Sequence, residues 1–290
     1  MQRTIAAAYI ACALIWGTTW YAIRRCIGES GEAGFPTLDA LALRFAIAAI
    51  VIVPIAARFR PWPSRRTWLY LVIAGVLDAA GYLLVYVGEE RVSGGIAAVV
   101  YGTQPLILAV MLTATRMERL TWRHVIGAVI SIAGVAVIFF DRLDVSARQA
   151  GGVAMVLGSV VVATGYSMVM KRHSQGVHGV VATAIFIAVT ALVLGVIALV
   201  AYEPIPWPPP GVATFALFYL AVIGSVVAFL SYFWLLGRTS LLLTSTLVFV
   251  FPLVALATDA LFESEITLGP RAYVGAAITL AGLAVSLVRG

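Results

Sequence analysis

Asp78, Tyr82 and Tyr86 recur at i, i+4 and i+8 within an apolar stretch, so a helix there presents one carboxyl group and two phenols on a single face. An ionised side chain in the middle of a membrane helix costs about 2.5–3.5 kcal/mol on insertion scales, and must therefore meet water, a partner or a proton. Asp78 is accordingly a candidate site for a substrate ammonium group or for a proton. The alternative is structural: a buried pair with Arg44, in the preceding apolar stretch, that fixes helix packing. Arg44 itself lies about two turns from the end of its segment, close enough to snorkel to the membrane surface or to meet Asp39.

Other segments carry aromatic rings beside isolated hydroxyl and amide groups. Trp16, Thr19 and Trp20 share a face of the first segment, and Tyr101 and Gln104 share one on the fourth. Thr164 precedes an aromatic and a basic pair on the sixth. Ser225, Phe229 and Tyr232 follow on the eighth, and Thr244, Ser245, Thr246 and Phe249 on the ninth. Such faces suit a small zwitterion, whose apolar side chain is held by rings while polar groups orient its amine and carboxylate. Plainer roles compete: Trp20 suits an outer aromatic belt, and intramembrane Ser and Thr commonly bond back to their own helix. Pro105 and Pro252 each remove a helix hydrogen bond and free carbonyls of the preceding turn, as ligands, as hinges or as tolerated kinks.

The elements that must position these residues are ten apolar segments near 5–23, 37–57, 67–88, 94–115, 121–140, 150–172, 178–201, 211–235, 241–261 and 270–288. Each is long enough to cross a bilayer as a helix. With 62% hydrophobic and 11% charged residues, and a mean hydropathy of +1.03, the chain has too little polar surface for a water-soluble globule. The sequence pI near 9.6 does not signal nucleic acid, because the basic residues sit singly or in pairs at segment ends. With the N-terminus inside, twelve Lys and Arg fall on the cytoplasmic side and six outside, which predicts both termini in the cytoplasm. The first segment is expected to persist as a helix, not to be cleaved as a leader. Cys12 and Cys26 would lie roughly 20 Å apart along it, so no disulfide between them is expected. The PIPWPPP run at 204–210 reads as an extended, polyproline-like loop, and Asp259 with Glu263 and Glu265 as an interfacial cluster.

The chain is also duplicated. IGAVISIAGVAV from Ile126 returns 148 positions later as VGAAITLAGLAV from Val274, with seven identities. Pro105 falls opposite Pro252, Ser93 opposite Ser240, Tyr82 opposite Phe229 and Asp78 opposite Ser225, all at an offset of 147. Two five-segment halves, 1–145 and 146–290, follow, and the odd segment number inserts the second with opposite topology. Gly127, Ser131 and Gly134, mirrored by Gly275, Thr279 and Gly282, form faces suited to close helix approach.

In this order and in both halves, WGTTW in the first segment, GTQPL at 102–106, FVFPL at 249–253 and the repeated fifth and tenth segments resemble the drug/metabolite transporter superfamily, in its EamA type. Within it, the chain looks like the bacterial YddG-type amino acid exporters. The resemblance implies an all-α integral membrane fold in which segments 1, 3, 4, 6, 8 and 9 surround a central cavity and segments 5 and 10 lie outside. It implies export of aromatic and other neutral amino acids across the cytoplasmic membrane, with lipid and a small zwitterion as partners and no nucleic acid. A drug or nucleotide carrier of the same fold is the alternative, although a nucleotide would want a more cationic lining. An integral-membrane enzyme would need clustered His, Asp or Glu at one membrane face. His173 and His178 are five apart and off a common face, and no nucleotide-binding loop, HExxH or GxSxG occurs, so neither metal nor cofactor is expected.

Overall fold

The computed structural model describes residues 2–28, 33–89, 91, 94–117, 121–138, 140, 147–201, 204–205, 207–262 and 269–287. Among them there is helix and no strand. The helices are α1 (Gln2–Ile27), α2 (Thr37–Ala56), α3 (Arg65–Glu89), α4 (Gly94–Tyr101), α5 (Gln104–Thr115), α6 (Trp122–Ile138), α7 (Ala147–His173), α8 (Gly179–Ala201), α9 (Gly211–Ala221), α10 (Ala228–Arg238), α11 (Leu241–Ser245), α12 (Leu247–Phe262) and α13 (Pro270–Leu287). A π-helical segment, Val222–Val227, joins α9 to α10. All ten predicted segments are helical where described, and among the described residues eight helical stretches are long and apolar enough to cross a membrane; α6, with 17 residues, is shorter.

Three segments expected to be continuous are interrupted. The fourth breaks at Gly102–Thr103 into α4 and α5. Pro105, which has no N–H to give to the carbonyl four residues back, sits in the first turn of α5, and the bonds around it tighten to i−3: Thr103 N to Val100 O at 3.0 Å and Leu106 N to Thr103 O at 2.9 Å. The ninth breaks at Thr246, six residues before Pro252, which lies inside α12. There the hydroxyls of Thr244, Ser245 and Thr246 donate to the carbonyls of Leu241, Leu242 and Leu243 at 3.0, 2.9 and 2.7 Å, competing with the main-chain ladder. The eighth widens into the π segment, where Ser225 Oγ donates to the Leu220 carbonyl five residues back at 3.0 Å.

The chain forms two compact units, each drawn from both halves of the sequence: residues 1–79 with 165–238, and residues 80–164 with 239–290. In the first, α1 packs against α2, α9 and α10, and α2 lies along α8. Its core includes Ala22, Cys26, Phe35, Ala40, Ala216, Leu217 and Leu220. In the second, α6 and α13 pair along their length. A Cβ on Gly134 would collide with Thr279 and come within 2.7 Å of the Gly275 carbonyl, and one on Gly282 would stand 2.6 Å from the Gly127 carbonyl. Ser131 Oγ seals the approach by donating to Thr279 O at 3.1 Å. The motif that reveals the duplication is thus a helix face packed against its own repeat. Cys12 and Cys26 are free and buried. Ser93, Glu263, Glu265, part of the 204–210 run and the side chain of Asp259 lie outside the described residues.

Candidate functional site

In the first unit, buried polar side chains from both halves of the sequence meet. Gly75 lets α3 ride directly on α8: a Cβ there would stand 2.7 Å from Val189 Cβ and 2.8 Å from the Phe186 carbonyl. One turn on, Asp78 is 1% exposed and its Oδ2 accepts a hydrogen bond from Thr190 Oγ1 at 3.0 Å. Arg44, read from sequence as within reach of the membrane surface or of Asp39, is 2% exposed. Its Nε donates to Ser225 Oγ at 2.9 Å and its Nη2 to the Gly224 carbonyl at 3.1 Å, both in the π segment. The reason is chemical: the buried guanidinium finds oxygen acceptors in α2's neighbour without crossing to the surface. The positive charge of Arg44 is felt at Asp78, but Thr190 is what bonds the carboxylate. Helix-interior Ser225, predicted from sequence as a site residue, is therefore the acceptor for Arg44.

These contacts repeat each other. Asp78 and Ser225 are the 147-offset counterparts, and Thr190 follows Arg44 by 146 positions. In each half, an oxygen on the third segment takes a hydrogen bond from a donor on the second segment of the other half. Thr190 was not among the residues singled out from sequence, because one Thr in an apolar segment reads as back-bonding, and the offset of 147 carries Arg44 to Ala191, one residue past it.

Beside this polar set stands an aromatic wall. Trp16 packs on Phe229 with ring centroids 5.7 Å apart at 75°, and on Tyr232 at 5.1 Å. Phe229 and Tyr232 are buried, and Tyr232 Oη lies 2.9 Å from Ser167 Oγ. Phe45, Phe186 and Phe233 extend the wall around Phe229. Thr19 is buried on the Trp16 side of α1 and bonds back to the Trp16 carbonyl at 2.6 Å, while Trp20 is half-buried. His173 stacks on Tyr70 and His178 on Phe59, each pair in this unit. Among the described residues no group of three or more His, Cys, Asp or Glu could hold a metal ion.

The second unit holds the remaining predicted residues. Tyr82 and Tyr86 are neighbours on α3, with centroids 6.4 Å apart. Tyr101 Oη lies 2.9 Å from Ser159 Oγ; Ser159 donates its own proton to Val156 O at 2.8 Å, which leaves the phenol as donor between them. Gln104 is half-buried in the first turn of α5. Thr164 and Ser245 are buried and donate to Val160 O and Leu242 O. Phe249 is fully buried and clusters with Ala128 and Val248. Sequence had offered it as a substrate contact.

Comparison with known proteins gives the arrangement its family. The model of the EamA-like transporter family matches twice, at residues 3–140 and 150–288. An uncharacterized inner membrane transporter of Escherichia coli K12, YedA, is 30% identical over 86% of this chain and 79% of its own length. A probable terminal-alkyne amino-acid exporter of Streptantibioticus cattleyicolor is 25% identical over 95% of this chain and 91% of its own. One solved structure superposes with a TM-score of 0.80 at 20% identity, covering 98% of this chain and 96% of that one, which shows the fold. With the family model covering both halves, this chain belongs to the EamA-like transporter family, a membrane transporter built as a duplicated helical unit.

Proposed function

We propose that this chain exports neutral amino acids, aromatic ones included, across the bacterial cytoplasmic membrane by alternating access, with both termini in the cytoplasm and no catalytic chemistry of its own. The observation that carries the reading is the wall of the first unit, where Trp16 packs edge-on against Phe229 and tilted against Tyr232, whose phenol lies beside the Ser167 hydroxyl. Rings of this kind take apolar and aromatic side chains equally well, while a phenol and a serine hydroxyl supply the few polar contacts that orient a zwitterion. In the second unit the phenols of Tyr82, Tyr86 and Tyr101 and the amide of Gln104 have the same character. The amino-acid exporter among the similar proteins supports the substrate class, and the inner membrane transporter supports the location. The same reading takes 1–145 and 146–290 as the two five-helix repeats, the second inserted upside down.

Substrate contact is assigned to the aromatic residues and not to Asp78 or Arg44, because the charged groups of these two are already bonded to Thr190 and to Ser225 and Gly224. Ligand-induced thermal stabilisation of the purified protein tests the substrate class. Phenylalanine, tryptophan, leucine and threonine are each expected to raise the unfolding temperature; stabilisation by a nucleoside or a cationic dye, with none by these amino acids, would move the chain to another substrate class. A reporter fused after Gly290 should be active if it is a cytoplasmic reporter and silent if it is a periplasmic one.

A further inference from the structure

Thr190 Oγ1 stands 3.0 Å from Asp78 Oδ2, 3.0 Å from the Phe186 carbonyl and 3.1 Å from the Gly75 carbonyl. One hydroxyl proton faces three oxygens, so it can serve only one at full strength. Which one it serves depends on Asp78. While the carboxylate is ionised, it is the strongest acceptor of the three and takes the proton. Once the carboxyl group is protonated, its own O–H donates to Thr190 Oγ1, and the threonine proton turns to Phe186 O or Gly75 O within the same few tenths of an ångström. The contact between Asp78 Oδ2 and Thr190 Oγ1 can therefore be a hydrogen bond in either protonation state of a carboxyl group that is 1% exposed.

We infer that Asp78 is a proton-carrying site that couples transport to the proton gradient, with Thr190 as the hydroxyl that accommodates both of its states. The step balances simply: a hydronium ion from one aqueous side gives its proton to Asp78 Oδ2, the carboxylate becomes a neutral acid and water is left, and release to the other side is the reverse. Charge ties the step to conformation. Arg44 on α2 is the charged group acting on Asp78; the Cys26 thiol on α1 senses the same guanidinium, and α8, which supplies Thr190, carries no titratable side chain between Gly179 and Ala201. On α3 itself, the nearest titratable side chain on the same face is that of Tyr82. Protonation leaves the Arg44 charge unbalanced by Asp78, and Arg44 is bonded to the π segment through Ser225 and Gly224. The two states thus differ by one buried charge at the joint between α2 and the eighth segment, the kind of difference that shifts a conformational equilibrium.

The coupling rests on the transport reading; the proton site does not, and the test separates them. Infrared titration of the full-length protein in lipid follows the C=O stretch of protonated carboxyl groups with no substrate present. A band that appears on acidification, is lost in Asp78→Asn, and moves to higher frequency in Thr190→Val, where the acid loses its hydrogen-bond partner, is the expected result. If Asp78→Asn does not fold, replacement of the band by a glutamic acid band in Asp78→Glu identifies the same group. A band absent throughout, or unaltered by these substitutions, overturns the proposal. In proteoliposomes, whichever panel compound is carried should move faster under an imposed pH gradient in wild type, and at the same rate with and without it in Asp78→Asn; a gradient response that survives the substitution removes Asp78 from coupling.

Discussion

Two sets of repeat-related positions, one in each unit, differ in how much symmetry they display. In the second unit, α6 and α13 present the same small residues to each other: Gly127 faces Gly282, Ser131 faces Thr279, and Gly134 faces Gly275. In the first, the equivalent positions of the two halves hold unlike groups, Asp78 with Thr190 and Ser225 with Arg44. The backbone of the third segment also runs as one α-helix, whereas that of the eighth opens into a π segment around Ser225. The contrast has a physical source. Where two backbones approach within van der Waals distance, side-chain volume is fixed on both sides and only Gly, Ser or Thr fits. A buried hydrogen bond requires only a donor opposite an acceptor, so one half can hold a charge where the other holds a hydroxyl. Chemistry therefore differs between the halves where the scaffold leaves it free to differ.

Breaking the asymmetric set should have the largest effect. Arg44→Ala removes charge-assisted bonds to Ser225 and Gly224 and leaves Asp78 without its counter-charge; a loss of about 3–5 kcal/mol is expected, against about 1.5–3 kcal/mol for Thr190→Val, which removes one bond to the Asp78 carboxyl group. Thermal or denaturant unfolding in detergent measures both, and equal losses would show that the two halves are energetically alike after all. The symmetric set makes the opposite prediction. Gly134→Ala and Gly282→Ala each force a methyl group against main-chain atoms of the facing helix and should each cost about 1–3 kcal/mol. The two values should agree within error; a large loss for one alone would mean that the α6–α13 interface is not the twofold contact its geometry describes. Ser131→Ala sharpens the comparison at its weakest point, since a hydrogen bond between membrane helices averages about 0.6 kcal/mol, and the variant should be close to wild type. A loss comparable to that of Arg44→Ala would make hydrogen bonding, and not close packing, the basis of this interface.

Much of this was visible in the chain before any coordinates. Ten runs of apolar residues gave ten helical segments with ends within a few residues, because hydrophobic length is the constraint a bilayer imposes most directly. The glycines at 127 and 134 announced a close helix approach, and their repeats at 275 and 282 supplied its partner. The interruptions were harder. Pro105 marks one, but the break lies two residues before it; the break at Thr246 arises from three successive hydroxyls whose back-bonding only coordinates reveal, and no residue type announces the π segment. Arg44 was only partly legible for a similar reason. Its distance from the segment end permits snorkelling, and the oxygen atoms that hold it inside are 180 and 181 positions away. Phe249 shows the same limit, since an aromatic ring on an apolar helix can face a substrate or a neighbouring helix, and its place beside Ala128 and Val248 is not readable from its own segment.

Counterflow tests the central claim most directly. Proteoliposomes containing only this protein are loaded with unlabelled leucine and diluted into trace labelled phenylalanine with no pH gradient, so that exchange alone drives accumulation. The account predicts transient accumulation of label inside, abolished when the internal leucine is omitted and sharply reduced in Trp16→Ala. Equilibration at the rate of protein-free vesicles, alongside counterflow of a nucleoside or a cationic dye, would contradict it.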